Sequence, residues 1–215
     1  MVVYQMRELS VFKIPEANFE FTRRWFESRN LGTFEKFVLP VWKDKPINYL
    51  EIGVFEGMSM VWMLYYVLRH PDSRAVGIDP WLIERKKPQD VVDSIMKRAF
   101  HNVSVFGNKC ELIRANSNVI LFEMSRKTGY AGFTCKSVDI ALIDGIHTDL
   151  GAWQDARFVL PLMKSGGWIL FDDVESEKKK GNQHVKAGIK GFLSESGDKV
   201  SFKWKSRFME CYEVK

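Results

Sequence analysis

From residue 47 onward, apolar runs of strand character alternate with amphipathic runs of helical period, and this alternation constrains the fold more than any other feature. "INYLEIG" (47–53) precedes "MSMVWMLYYVLRH" (58–70), "AVGID" (75–79) precedes "PQDVVDSIMKRAFHN" (88–102), and "CELIRAN" (110–116) precedes "SNVILFEMSRK" (117–127). "VDIALIDG" (138–145) then precedes "DLGAWQDARFVLPLMK" (149–164), and "GWILFDD" (167–173) precedes "HVKAGIKGFLSES" (184–196). Nearly continuous apolar strands separated by helices predict a parallel sheet with helices on both faces, an α/β doubly wound domain of Rossmann-like type. The C-terminal "KVSFKWKSRFMECYEV" (199–214) reads as two strands joined by a turn at Lys205-Ser206-Arg207. Upstream, residues 14–40 read as amphipathic helix anchored by Phe19, Phe21, Trp25, Phe26, Phe34 and Phe37, with Pro40 and Pro46 bracketing a linker.

Ligands of such sheets sit beyond the carboxyl ends of the strands. The first strand ends in "EIGVFEGMS", an E-x-G-x-x-x-G turn with Glu51, Gly53 and Gly57. Glycine permits a tight turn and close approach to a ligand. Phe55 and Glu56 are poor neighbours for a pyrophosphate, which argues against a nicotinamide dinucleotide. An acid at Glu51 suits a cationic ligand such as S-adenosylmethionine, which carries an ammonium and a sulfonium. Asp79 ends the second strand at the offset where an acid accepts from ribose hydroxyls. Asn116 and Ser117, past the third strand, could meet the adenine edge, and Ser117 could equally cap the helix that follows.

Two further strands end in acids, "LIDGIH" (142–147) in Asp144 and "LFDDV" (170–174) in Asp172 and Asp173. Were these strand ends neighbours in the sheet, the three carboxylates would repel, and a hard dication would relieve them. Oxygen ligands suit Mg²⁺, or Mn²⁺ or Ca²⁺. The alternative is that Asp173 caps a turn and Asp172 faces solvent. His147, three residues beyond Asp144, is either a general base or a polar loop residue bonded to backbone.

"YLEIGVFEGMS", "AVGIDPW" and "VDIALIDGIHTDLGAWQDARFVLPLMKSGGWILFDDV" resemble class I S-adenosylmethionine-dependent methyltransferases over residues 45–195. The resemblance is closest to the metal-dependent, macrocin-type sugar O-methyltransferases. It implies strand order 3-2-1-4-5-7-6 with strand 7 antiparallel. It further implies an N-terminal helical extension or lid over residues 1–46 and a cofactor-binding domain over 47–215. Asp144, Asp172 and Asp173 would take the metal-ligand role, Asp144 would also contact the cofactor, and His147 with Asp144 would be catalytic. Relatives carry an acid near the D-x-x-H segment where this chain has Ile146 and Thr148, which puts the identity of the base in question.

The expected activity is therefore metal-assisted O-methylation of a sugar, glycan or other small hydroxylated molecule. Two other classes stay in view: a nucleic-acid methyltransferase, and a non-catalytic binding protein with the cofactor fold. A net charge of +5 permits an anionic partner, yet "RKK" (85–87) and "KKK" (178–180) lack the interleaved aromatics of a single-strand groove. The N/D-P-P-aromatic segment of base-amino methylases and the Pro-Cys of cytosine C5 enzymes are both missing. No apolar run is long enough for a bilayer, and no signal-peptide core is legible, so a cytoplasmic protein without a membrane partner is expected. Cys110, Cys135 and Cys211 are scattered and suggest reduced thiols. The N-terminal helices and the segments 83–90 and 175–186, the latter with His184, are candidates for shaping the acceptor pocket.

Overall fold

A computed structural model describes residues 17–82, 88–174 and 185–215. The basic clusters at 85–87 and 178–180, His184 and most of the two expected pocket-shaping segments lie outside those residues. Seven strands, β1 (Asn48–Ile52), β2 (Arg74–Asp79), β3 (Cys110–Arg114), β4 (Val138–Ile143), β5 (Met163–Phe171), β6 (Val200–Lys205) and β7 (Glu210–Val214), form one sheet. Its order is β3-β2-β1-β4-β5-β7-β6. The first five strands run parallel, and β7 is antiparallel to both β5 and β6, as expected.

Burial follows from that arrangement. All six residues of β4, the central "VDIALI", are buried, because helices cover both faces. Ala141 and Ile143 point into a core with Ile120, Leu121, Ala156 and Phe192 from helices α6 (Ser117–Met124), α7 (Asp149–Val159) and α8 (Val185–Ser196). Ile140 and Leu142 point the other way, into a core with Phe26, Phe34, Met60 and Trp62. A third cluster joins Val54 and Trp81 to Val92, Ile95 and Ala99 of helix α5 (Gln89–Ser104).

The N-terminal region departs from the expected helix. Residues 17–24 are not helical; helical structure begins with α1 (Trp25–Arg29) and continues through α2 (Leu31–Thr33), a wide π-turn at Phe34–Val38 and α3 (Leu39–Trp42). The physical reason is that the strap's backbone donors are already engaged. Glu20 N donates to Asn102 Oδ1 at 2.8 Å, and Thr22 N donates to Glu56 Oε2 at 2.6 Å. Arg98 and the Thr22 hydroxyl complete the shell of Glu56, which is only 1% exposed. Glu56, in the glycine turn, thus clamps the N-terminal strap. Phe26, Phe34 and Trp62 pack with centroids 5.0–5.9 Å apart and fasten the same region to helix α4 (Met58–Trp62). Pro40 sits in the first turn of α3 rather than in a linker, a position that tolerates its missing N–H.

The ends of β1 and β4 meet at Gly53. Its φ is +85°, and a Cβ there would stand 2.0 Å from the Asp144 carbonyl oxygen. Gly53→Ala should therefore cost more than about 2 kcal/mol, from a left-handed backbone plus a clash with main chain that cannot rotate away. Urea unfolding of the variant against wild type checks this; equal midpoints would show that the strand ends separate freely.

Candidate active site

Beyond the carboxyl ends of β1, β2, β3 and β4 lies a cavity of about 510 Å³. Gly53, Asp79, Asn116, Ser117 and Asp144, all expected at a cofactor, line it. Glu51 and Gly57 do not. Gly57 forms the αL residue before α4, with φ +78°. Glu51 lies beneath, fully buried, accepting from the Tyr49 hydroxyl at 2.7 Å and the Ser59 hydroxyl at 2.5 Å.

Asp79 holds the glycine turn together. Its Oδ2 accepts from Val54 N and Phe55 N, both at 2.9 Å, and Oδ1 accepts from Trp81 N at 2.7 Å. A carboxylate offers about four acceptor sites, so roughly one remains for a ligand hydroxyl rather than two. Burial pushes this carboxyl upward while the three backbone donors oppose the shift. Asn116, not Ser117, is the cap residue of α6, and it makes no side-chain cap bond. Ser117 instead donates to Asp155 Oδ1 at 2.6 Å. Asp155 lines the same cavity, and burial raises its carboxyl to about 6. Sequence reasoning missed Asp155 because it lies mid-helix in α7, where only the packing of α6 on α7 turns it toward the cavity.

A smaller cavity, about 80 Å³, adjoins the first and is lined by Trp25, Phe26, Arg29, Asn30, Ser59, Leu142, Asp144, His147, Asp172 and Asp173. Trp25, Asp144 and His147 line both cavities. The indole of Trp25 lies 5.0 Å from the Phe55 ring, centroid to centroid. The N-terminal helices were expected at the acceptor pocket, but Trp25, Arg29 and Asn30 were not legible individually, since the strap and the aromatic cluster bring them over the strand ends only in the folded chain.

The structure does bring Asp144, Asp172 and Asp173 to this one corner. Burial, then the neighbouring carboxylates of Asp172, Asp173 and Glu51, push the Asp144 carboxyl well above its usual range. Asp172, 6% exposed, is also raised, chiefly by burial. Asp172 Oδ2 accepts from Asn30 Nδ2 at 2.9 Å.

Asp173 is committed differently. Its backbone is left-handed, φ +59°, which Asp tolerates better than most side chains. Its Oδ1 pairs with the Arg29 guanidinium, and its Oδ2 lies 3.2 Å from His147 Nδ1. Among the described residues no group of three or more His, Cys, Asp or Glu side chains is arranged to hold a metal ion. In the arrangement seen, the oxygens of Asp173 face the Arg29 guanidinium and the His147 imidazole. Asp172 is buried and does not face solvent.

Glu51 generates a pH prediction. Burial raises its carboxyl from 4.5 to about 7, with the hydroxyls of Ser59 and Tyr49 opposing. The folded state therefore holds this proton where the unfolded chain has lost it. Its contribution to stability should be full below about pH 4.5 and fall as pH rises toward 7, by on the order of 3 kcal/mol. Urea unfolding across that window should show the decline, and Glu51→Gln, neutral throughout, should flatten it. An unchanged slope in the variant would assign the decline to Asp144 or Asp155.

The methyltransferase-domain family model matches residues 50–174, more than half of the chain. No curated protein matches it. Among solved structures, a proposed O-methyltransferase from Klebsiella pneumoniae is similar at 16% identity and TM-score 0.60, over 86% of this chain and 80% of that one. The O-methyltransferase of tomaymycin synthesis from Streptomyces achromogenes, in complex with SAM, is similar at 17% identity and TM-score 0.59, over 85% and 78%. A Bacillus cereus O-methyltransferase in complex with SAH is similar at 19% identity and TM-score 0.57, over 85% and 81%. These likenesses are of fold. With the matched segment running from β1 through both acid-bearing strand ends, the chain belongs to the methyltransferase-domain family, the class I S-adenosylmethionine-dependent methyltransferases.

Proposed function

We propose that this enzyme transfers the methyl group of S-adenosylmethionine to a hydroxyl oxygen of a small molecule, with His147 as general base. The observation that carries this reading is the position of His147, lining both cavities with Nδ1 held 3.2 Å from Asp173 Oδ2. A proton on Nδ1, donated to Asp173, leaves the Nε2 lone pair as the acceptor. The cofactor would occupy the larger cavity, its ribose meeting the remaining acceptor site of Asp79 and its methionine end near Gly53 and Asp144. The acceptor would enter the smaller one. As the acceptor oxygen attacks the methyl carbon, the carbon–sulfur bond breaks, the sulfonium becomes a neutral thioether, and the hydroxyl proton passes to Nε2. Asp173 stabilises the imidazolium, and Arg29 holds that carboxylate in its orientation.

The lining of the smaller cavity supports a sugar, a glycan end or a similar polyol as acceptor. Trp25 and Phe26 offer apolar faces, while Asn30, Asp144 and Asp172 offer hydrogen-bonding groups. The reading carries no Mg²⁺ in the reaction, since Arg29 and His147 engage Asp173 and leave Asp144 and Asp172 alone. No helix among the described residues is long and apolar enough to cross a membrane.

Two measurements test the reading. Calorimetry should show S-adenosylmethionine binding, and S-adenosylhomocysteine should accumulate when a panel of glycosides and polyols is added. His147→Ala should retain cofactor affinity and lose transfer by about 10²–10⁴-fold, the usual contribution of a positioned base. Undiminished turnover in that variant would remove His147 from the chemistry. Asp79→Ala should weaken cofactor binding and also destabilise the fold by about 1–3 kcal/mol, since it strands three backbone donors. Full cofactor affinity in a folded Asp79→Ala protein would place the ribose elsewhere.

A further inference from the structure

The acid corner of this chain is met by its own N-terminal helix. Arg29, at the end of α1, pairs with Asp173, and its guanidinium also lies 4.5 Å from the centroid of the Phe208 ring at the β6–β7 turn. Phe208 is tied to the same corner, because its carbonyl accepts from Val174 N at 3.0 Å. The cation is therefore sandwiched between a ring and a carboxylate rather than extended into solvent. Asn30, the next residue, is 6% exposed and donates to Asp172. Among the described residues, two buried oxygens at the small cavity, Asn30 Oδ1 and Asp172 Oδ1, have no hydrogen-bond partner. They mark a place where a ligand's own donor groups are wanted.

We propose that Arg29 and Asn30 are the acceptor-positioning residues of this enzyme, with the Arg29 guanidinium standing where a divalent ion would otherwise bridge the carboxylates, so that the corner excludes such an ion and the two orphaned oxygens receive hydroxyl groups of the acceptor. A guanidinium supplies fixed positive charge and directional donors but no open coordination site. It neutralises Asp173 and keeps that carboxylate turned to His147. A dication needs the same oxygens and is repelled by the guanidinium. Acceptor recognition then falls to hydrogen bonding by Asn30 and Asp172, which favours molecules with a donor beside the methylated hydroxyl. This rests on the O-methyltransferase reading for the acceptor but not for the exclusion of metal.

The test is a Mn²⁺ titration of the full-length chain, read by the loss of the free-ion paramagnetic resonance signal. The wild type should leave millimolar Mn²⁺ free, and Arg29→Lys should behave alike. Arg29→Met keeps an apolar stem against Phe208 and removes the charge. It should bind one Mn²⁺ per chain at least roughly ten-fold more tightly than wild type, a difference of about 1.4 kcal/mol. Adding Asp172→Asn to Arg29→Met should abolish that binding. Wild-type binding as tight as that of Arg29→Met would overturn the proposal, and so would the absence of binding in both. Cofactor calorimetry on the same proteins keeps the two readings apart: a wild type that does not bind S-adenosylmethionine defeats the proposed function, whatever the Mn²⁺ titration shows.

Discussion

A side chain at residue 53 would have to occupy the space of the Asp144 carbonyl, and the rest of the site depends on that exclusion. Because Gly53 has no Cβ, β1 and β4 approach until Asp144 N donates to Ile52 O at 2.8 Å. That contact sets the carboxyl of Asp144 at the wall shared by the two cavities. It also opens the turn whose amides, at Val54 and Phe55, are gathered by Asp79 from the neighbouring strand. One missing methyl group thus fixes the distance between the cofactor's expected seat and the acids beyond it.

The second constraint is charge. Parallel strands β4 and β5 run side by side and both end in acids, so three carboxyls are delivered to one partly dehydrated corner. Isolated buried carboxylates are too costly to persist ionised. The chain meets the cost in two ways. Asp144 and Asp172 move upward in pKa, while Asp173 stays paired with Arg29 and His147. The same electrostatics explains why His147 is oriented: the carboxylate that needs a donor and the imidazole that needs a fixed tautomer satisfy each other.

The third element is mechanical. Glu56 and Asn102 tie down the strap at residues 20–22, and the Phe26–Phe34–Trp62 cluster locks the helices that follow onto α4. Together they hold Trp25, Arg29 and Asn30 above the strand ends. A substitution at Glu56, far from the reacting atoms, acts on the site through this strap.

Much of the fold was legible in the sequence, because the side-chain periods of strand and helix are local properties and the apolar runs of β1, β2 and β4 admit few topologies. The acids at the ends of β2, β4 and β5 were legible as well, since a carboxylate terminating a core strand is conspicuous and the sheet order implied by the family resemblance makes two of those ends neighbours. What answers the acids was not. Arg29 lies 144 residues from Asp173 along the chain, and nothing in the pattern of residues 14–40 distinguishes it from the other basic residues there. Asp155 was hidden as well, since it lies inside a helix. Charge compensation is a long-range contact decided by which surfaces pack together, so the sequence alone identified the carboxylates and only the tertiary structure decided that a guanidinium and an imidazole would meet them.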